Sequence, residues 1–339
     1  MLHNEGAWGG NLLSFPHIRS KSSLTMDTVS KYRGQLMGLA IIAIVACHLS
    51  QLYPVVPFIR FGSIGVEIFF FLSGMGLVYS YRRNSSPIQF YGRRALRILP
   101  SYYIVLLLSA AVYGASVLCW KNVLIFGMFR WFISTICLYY LLFPPYMALC
   151  RKVSPYVVYL LICCVVAVCF ACLQPWITPF WFARAPVFFL GCLCVQSEKC
   201  ANGTKAWMLV ALPSMVLFGL CNLQREVFEG IGVLALVRTL MTPGLCLALA
   251  WLLAKCDKLS WGKPVMWCLG IYGMLSLEVY LLEQNVRHAV HLGLGVDYWP
   301  LDFILVLPLA AVVHWLSKGI QRVFRRKPAG VPRTGCPQP

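Results

Sequence analysis

Long apolar runs alternate along the chain with short polar segments, and the runs have the length of membrane spans. Ten stretches approach the roughly 20 apolar residues that cross a hydrocarbon core. They are Gly34–Leu52, Phe61–Tyr81, Ile98–Leu118, Trp131–Leu149, Pro155–Leu173, Trp181–Val195, Trp207–Cys221, Ile231–Leu253, Pro264–Leu282 and Leu301–Leu316. The apolar stretch before the fourth is too long for one span, so Asn122–Phe129 reads as an interfacial piece. The pattern predicts an all-α, polytopic membrane helix bundle of about ten transmembrane helices. It divides into an N-terminal tail over residues 1–32, a transmembrane domain over 33–317 and a basic C-terminal tail over 318–339. No internal repeat and no appended soluble domain is visible.

Composition excludes a soluble globule: 60% of residues are hydrophobic and 12% charged, against about 25% charged in ordinary domains. A net charge of +18 would suggest nucleic acid in a soluble protein. Here no Lys/Arg run is interleaved with stacking aromatics in a polar segment, so the expected partner is the lipid bilayer and not nucleic acid. With both termini placed in the cytoplasm, only Arg60, Lys121, Arg130, Arg184, Arg225, Arg238 and Arg287 of the 29 lysines and arginines fall outside or within the membrane. The others fall on the inner side, as the positive-inside rule demands. The first 34 residues carry polar residues throughout and no continuous apolar core, so they read as a cytoplasmic tail of a multi-pass plasma-membrane protein, not as a signal peptide. Most of the 16 cysteines, such as Cys163, Cys164, Cys169, Cys172, Cys192 and Cys194, lie in apolar runs, where cysteine behaves as a small hydrophobe. No paired CxxC spacing points to a metal.

Polar residues inside the runs are the candidates for chemistry, because charges at membrane depth face a bundle interior or a cavity. At 1.5 Å per residue, His48 lies about 22 Å above Arg33, and Glu67 about 9 Å below the outer boundary. The same arithmetic brings Glu278 to about 21 Å and Arg238 to about 10 Å below the outer edge. Arg184 and Arg130 fall near that zone. The expectation is a single polar layer in the outer half. On the cytoplasmic side, Arg93, Arg94 and Arg97 form a cationic cluster. Arg94 and Arg97, three residues apart, share one helical side, and arginine's planar fork suits phosphate and pyrophosphate. Ser73 in FLSGMG reads as close packing beside Gly74 and Gly76, since no G-x-S-x-G elbow is present. Gly34 and Gly38 read as a further small-xxx-small face.

Three groups of motifs resemble the acyltransferase-3 family of integral membrane acyltransferases. They are YRGQLMGLAIIAIVACH, ending at His48; GVEIFFFLSG followed by FYGRRALRILPSYY, with Arg94 and Arg97; and WFISTICLYYLLFP, RAPVFFLG and SLEVYLLE. The chain departs from the family at Met37, where a basic residue is common and Arg33, one turn earlier, can substitute. It departs again at Ile136 and Cys137, where glutamates are often paired, and at Glu283, which replaces a histidine. The resemblance implies an acyl-CoA donor, usually acetyl-CoA, supplied from the cytoplasm and held by Arg94, Arg97, Arg93 and Arg33. It implies a hydroxyl acceptor on a cell-surface glycan or lipid-linked sugar, and no metal. His48 is then the general base, a task that suits an imidazole at physiological pH. Glu67 or Glu278 would orient the ring, and Arg184 or Arg238 would stabilise the oxyanion or contact the acceptor. The main rival is a transporter or flippase, which also carries midplane charges but often shows inverted repeats. A non-catalytic sensor or scaffold is the third class.

Overall fold

Water is absent from the bilayer core, so an apolar run can cross only with its backbone hydrogen bonds satisfied internally, as a helix or a closed barrel. The computed structural model describes residues 24–49, 61–125, 131–172, 182–223, 233–293 and 300–325. Among them the regular structure is entirely helical. In order the helices are α1 (Met26–Lys31), α2 (Arg33–Leu49), α3 (Ile64–Arg83), α4 (Pro87–Tyr113), α5 (Trp120–Val123), α6 (Trp131–Lys152) and α7 (Pro155–Cys172). There follow α8 (Ala185–Gln196), α9 (Glu198–Asn202), α10 (Thr204–Leu223), α11 (Val233–Cys256), α12 (Gly262–Met274), α13 (Ser276–His288) and α14 (Pro300–Arg325). The expectations placed on Arg60, Arg130 and Arg225, on the span ends Leu52, Leu173, Trp181 and Ile231, and on most of both tails lie outside the described residues.

Among the described residues seven helices, α3, α4, α6, α7, α10, α11 and α14, are long and apolar enough to cross a membrane alone. Two shorter apolar helices, α2 and α8, also match runs read from the sequence. The ninth run differs from expectation: α12 and α13 qualify only together, and the chain bends by 77° between them. The third also differs, starting at Pro87 instead of Ile98. Ser86 accepts a hydrogen bond from the Gln89 backbone N–H at 3.5 Å, and Pro87 fits the first helical turn, where its missing N–H costs nothing. Arg93, Arg94 and Arg97 therefore sit inside α4.

The core is centred on α3, of whose membrane window 72% is buried, against 11% for α7. Phe70, Phe71 and Leu72 are inaccessible, and Phe70 packs on Phe132 and Tyr139 of α6 with ring centroids 4.9 and 5.4 Å apart. At Gly74 the α3 backbone meets the Phe188 carbonyl of α8, and Gly191 meets the Phe71 carbonyl in return. This is the close approach that small residues permit in lipid, where apolar burial gives no drive for helix association. Gly38 of α2 likewise faces the Leu269 carbonyl of α12. Gly76 has a different role: the Arg33 guanidinium lies over it, with Cζ 3.0 Å from where a Cβ would stand.

These contacts fix relative directions. Gly62 opposes Ala43 and Cys47 while Gly65 opposes Ala40 and Ile44, so α2 and α3 are antiparallel. Ser101 meets Glu278 and Ser109 meets Asn285, so α4 and α13 are parallel. α14 runs against α13, since His314 reaches Glu278 while Asp302 lies beside His291. At one end of the bundle α1 buries Met26 and Val29, and the Tyr32 hydroxyl donates to Asp257 at 3.0 Å.

Candidate active site

His48 stands in the last described turn of α2. Its Nδ1 lies 3.0 Å from Glu283 Oε1 of α13, and the two side chains are 23% and 4% exposed. The ring is thus neither turned out of the bundle nor sealed inside it. One turn beyond Glu283, Arg287 donates from Nη1 to the His48 carbonyl oxygen at 2.7 Å. His291 Nε2 lies 3.5 Å from Asp302 Oδ2, and Asp302 sits in the electrostatic field of both Arg287 and Glu283.

The carboxylate beside His48 is therefore Glu283, and not Glu67 or Glu278. Glu67 is fully buried on α3, with Arg184 Nε 2.8 Å and Arg238 Nε 3.6 Å from its Oε1. Neither approach is aligned as a hydrogen bond, so the contacts are ionic, and burial keeps them strong. Arg184 also lies over the Trp131 ring and Arg238 over Phe218. The register explains the separation from His48. Gly65 opposes Ala40 and Ile44, which puts Glu67 level with Ala40, about 12 Å below His48 at 1.5 Å per residue. Arg184 and Arg238 are counter-charges to Glu67 at that lower level.

Glu278 belongs to a third cluster. It sits in the first turn of α13 just past the bend, so a straight-helix rise from Pro264 overstates its height. Its Oε1 accepts from the Ser101 hydroxyl at 2.9 Å and faces His314 Nδ1 at 3.1 Å. Ser101 and Ser317 are 3.0 Å apart, and Gln321 donates to the Ser317 hydroxyl at 3.2 Å. One carboxylate oxygen, Glu278 Oε2, is buried without a hydrogen bond. The expected single layer is thus three separate clusters at different heights.

The cationic group is assembled from two helices. Arg33 reaches from α2 to donate to the Leu72 carbonyl at 3.2 Å. Arg94 donates to the Ser80 hydroxyl at 2.9 Å and lies over the Phe90 and Tyr140 rings. Arg93 turns away to the Asn84 carbonyl at 3.4 Å. The electrostatic neighbours of Arg33 are Arg94, Arg97 and the Tyr140 hydroxyl, with no carboxylate among them. Among the described residues no carboxylate acts on Arg33 or Arg94, so the positive charge of this cluster is uncompensated there.

The roles of several of these groups are not legible in the sequence. The ninth run closes at Leu282, Glu283 enters only as a replacement for a family histidine, and Arg287 only among the cations outside or within the membrane. Their continuation as helix within the bundle was signalled only by an i, i+4 pair, Glu283 and Arg287, on one face.

A multi-pass helical bundle that holds a carboxylate-paired imidazole and a separate arginine cluster is an integral membrane protein with ionisable groups in its interior. The acyltransferase domain model of the acyltransferase-3 family matches residues 36–317, and the chain belongs to that family. The protein is accordingly a membrane acyltransferase. Comparison with curated proteins and with solved structures gave no match.

Proposed function

We propose that the protein moves an acyl group, acetyl in the simplest case, from cytoplasmic acyl-CoA to a hydroxyl of a cell-surface glycan or lipid-linked sugar. In this reading the chain crosses the plasma membrane ten times with both ends in the cytoplasm. The contact that carries the reading is His48 Nδ1 to Glu283 Oε1 at 3.0 Å. With Nδ1–H donated to the Glu283 carboxylate, Nε2 keeps its lone pair and is the atom that accepts a proton.

The donor's phosphates and pyrophosphate engage Arg33, Arg94 and Arg97, and its thioester extends toward the end of α2. As the acceptor oxygen attacks the thioester carbonyl, Nε2 takes the hydroxyl proton, and Glu283 stabilises the imidazolium. The tetrahedral intermediate then collapses: the carbon–sulfur bond breaks, the new ester forms, and the departing thiolate takes the proton from Nε2 to leave as CoA–SH. The imidazole is neutral again, and no net proton is released. Glu67 with Arg184 and Arg238 holds α3, α8 and α11 in place around this route, and the Glu278 cluster holds α4, α13 and α14.

The test is His48→Ala in protein that still inserts and folds, assayed for transfer from radiolabelled acetyl-CoA. The expected result is loss of transfer; undiminished transfer removes the mechanism. Mass spectrometry of envelope glycans with and without the protein identifies the acceptor.

A further inference from the structure

α13 grips His48 at two points one turn apart. Glu283 holds the ring at Nδ1, and Arg287, four residues on and hence on the same face, holds the carbonyl oxygen of the same residue at 2.7 Å. His48 stands in the last described turn of α2, and a cation near a helix C-terminus complements the negative end of its dipole. Arg287 also acts electrostatically on Asp302 of α14, as Glu283 does. A loop-anchoring arginine would need only one of these contacts.

We infer that Arg287 is a positioning residue for the His48 base: it clamps the end of α2 so that the imidazole stays on Glu283. This rests on His48 acting as the base. Among the described residues, Glu283 and Arg287 of α13 contact His48, Asp302 of α14 feels both and lies beside His291, and His288 lies against the Tyr113 ring of α4. α3 contributes Glu67 with its arginine partners about two turns lower.

The experiment uses the full chain purified in detergent, with radiolabelled acetyl-CoA as donor and an envelope glycan extract as acceptor. Arg287→Gln is expected to lower kcat by about 10- to 100-fold, the scale of a small misplacement of a catalytic group, and to leave the donor KM within about twofold. Arg287→Lys keeps the charge but loses the fork, so it recovers only part of kcat. Wild-type kcat in Arg287→Gln overturns the assignment, as does a fall in kcat that Arg287→Lys does not partly restore or that comes with a matching rise in donor KM, the mark of a merely structural residue. His48→Ala run alongside separates the two readings. If it retains transfer, the general-base mechanism itself has failed; if it is inactive while Arg287→Gln behaves as wild type, only the clamp has.

Discussion

Replacing Glu283 by glutamine tests the His48 pair with the least steric change. In the native protein the carboxylate lies 3.0 Å from Nδ1 and is 4% exposed, so water screens the pair weakly. Opposite unit charges at that distance attract by about 5 kcal/mol at an effective dielectric of about 20. That attraction exists only once the ring is protonated, so it counts toward the transition state. Desolvation and the nearby Arg287 offset part of it, leaving about 3 to 4 kcal/mol of differential stabilisation. At 1.36 kcal/mol per decade, Glu283→Gln should lower kcat by about 10²- to 10³-fold. A second effect acts in the same direction: a glutamine amide can donate to Nδ1 and so select the tautomer that carries its proton on Nε2, where the lone pair is needed. The assay is steady-state transfer from radiolabelled acetyl-CoA, with His48→Ala as the baseline and thermal unfolding as the folding control. A Glu283→Gln variant within about threefold of wild type, beside an inactive His48→Ala, would refute the argument that this carboxylate serves the base.

Other substitutions probe the remaining clusters. Arg97→Ala should raise the apparent KM for the CoA donor about tenfold, the worth of one charge-assisted contact, with kcat little changed; a change confined to acceptor kinetics would assign the cationic group elsewhere. Glu67→Ala strands Arg184 and Arg238, each 7% exposed, and should destabilise the protein by about 3 to 5 kcal/mol. Thermal unfolding in detergent measures this, and an unchanged Tm would contradict the ionic account of that cluster. Gly74→Val places a side chain against the Phe188 backbone carbonyl and should cost about 1 to 3 kcal/mol through overpacking. Gly219→Val, in open space, is the matched control, and equal Tm values for the two variants would show that α3 and α8 do not depend on close contact.

The amino-acid sequence by itself determined the class. Apolar run length sets helix length in lipid, and the cost of unpaired backbone groups there leaves the helix as the form these runs take. It determined also that His48 and the arginines of α4 are costly where they stand and hence worth explaining. These are properties of single segments. Which carboxylate lies beside His48 is a property of several segments together, and only the tertiary structure decided it. Helix rise gives height along one straight helix. The bend between α12 and α13 turned Glu278 toward Ser101 and His314 and carried Glu283 and Arg287 to the end of α2. The antiparallel register of α2 and α3, set where Gly62 and Gly65 let the backbones touch, dropped Glu67 to the level of Ala40. Arg33 joined Arg94 and Arg97 because Gly76 of α3 leaves room for its guanidinium. A pairing of charges across helices depends on bend, register and azimuth at once, and none of the three is written in the composition or period of a single run.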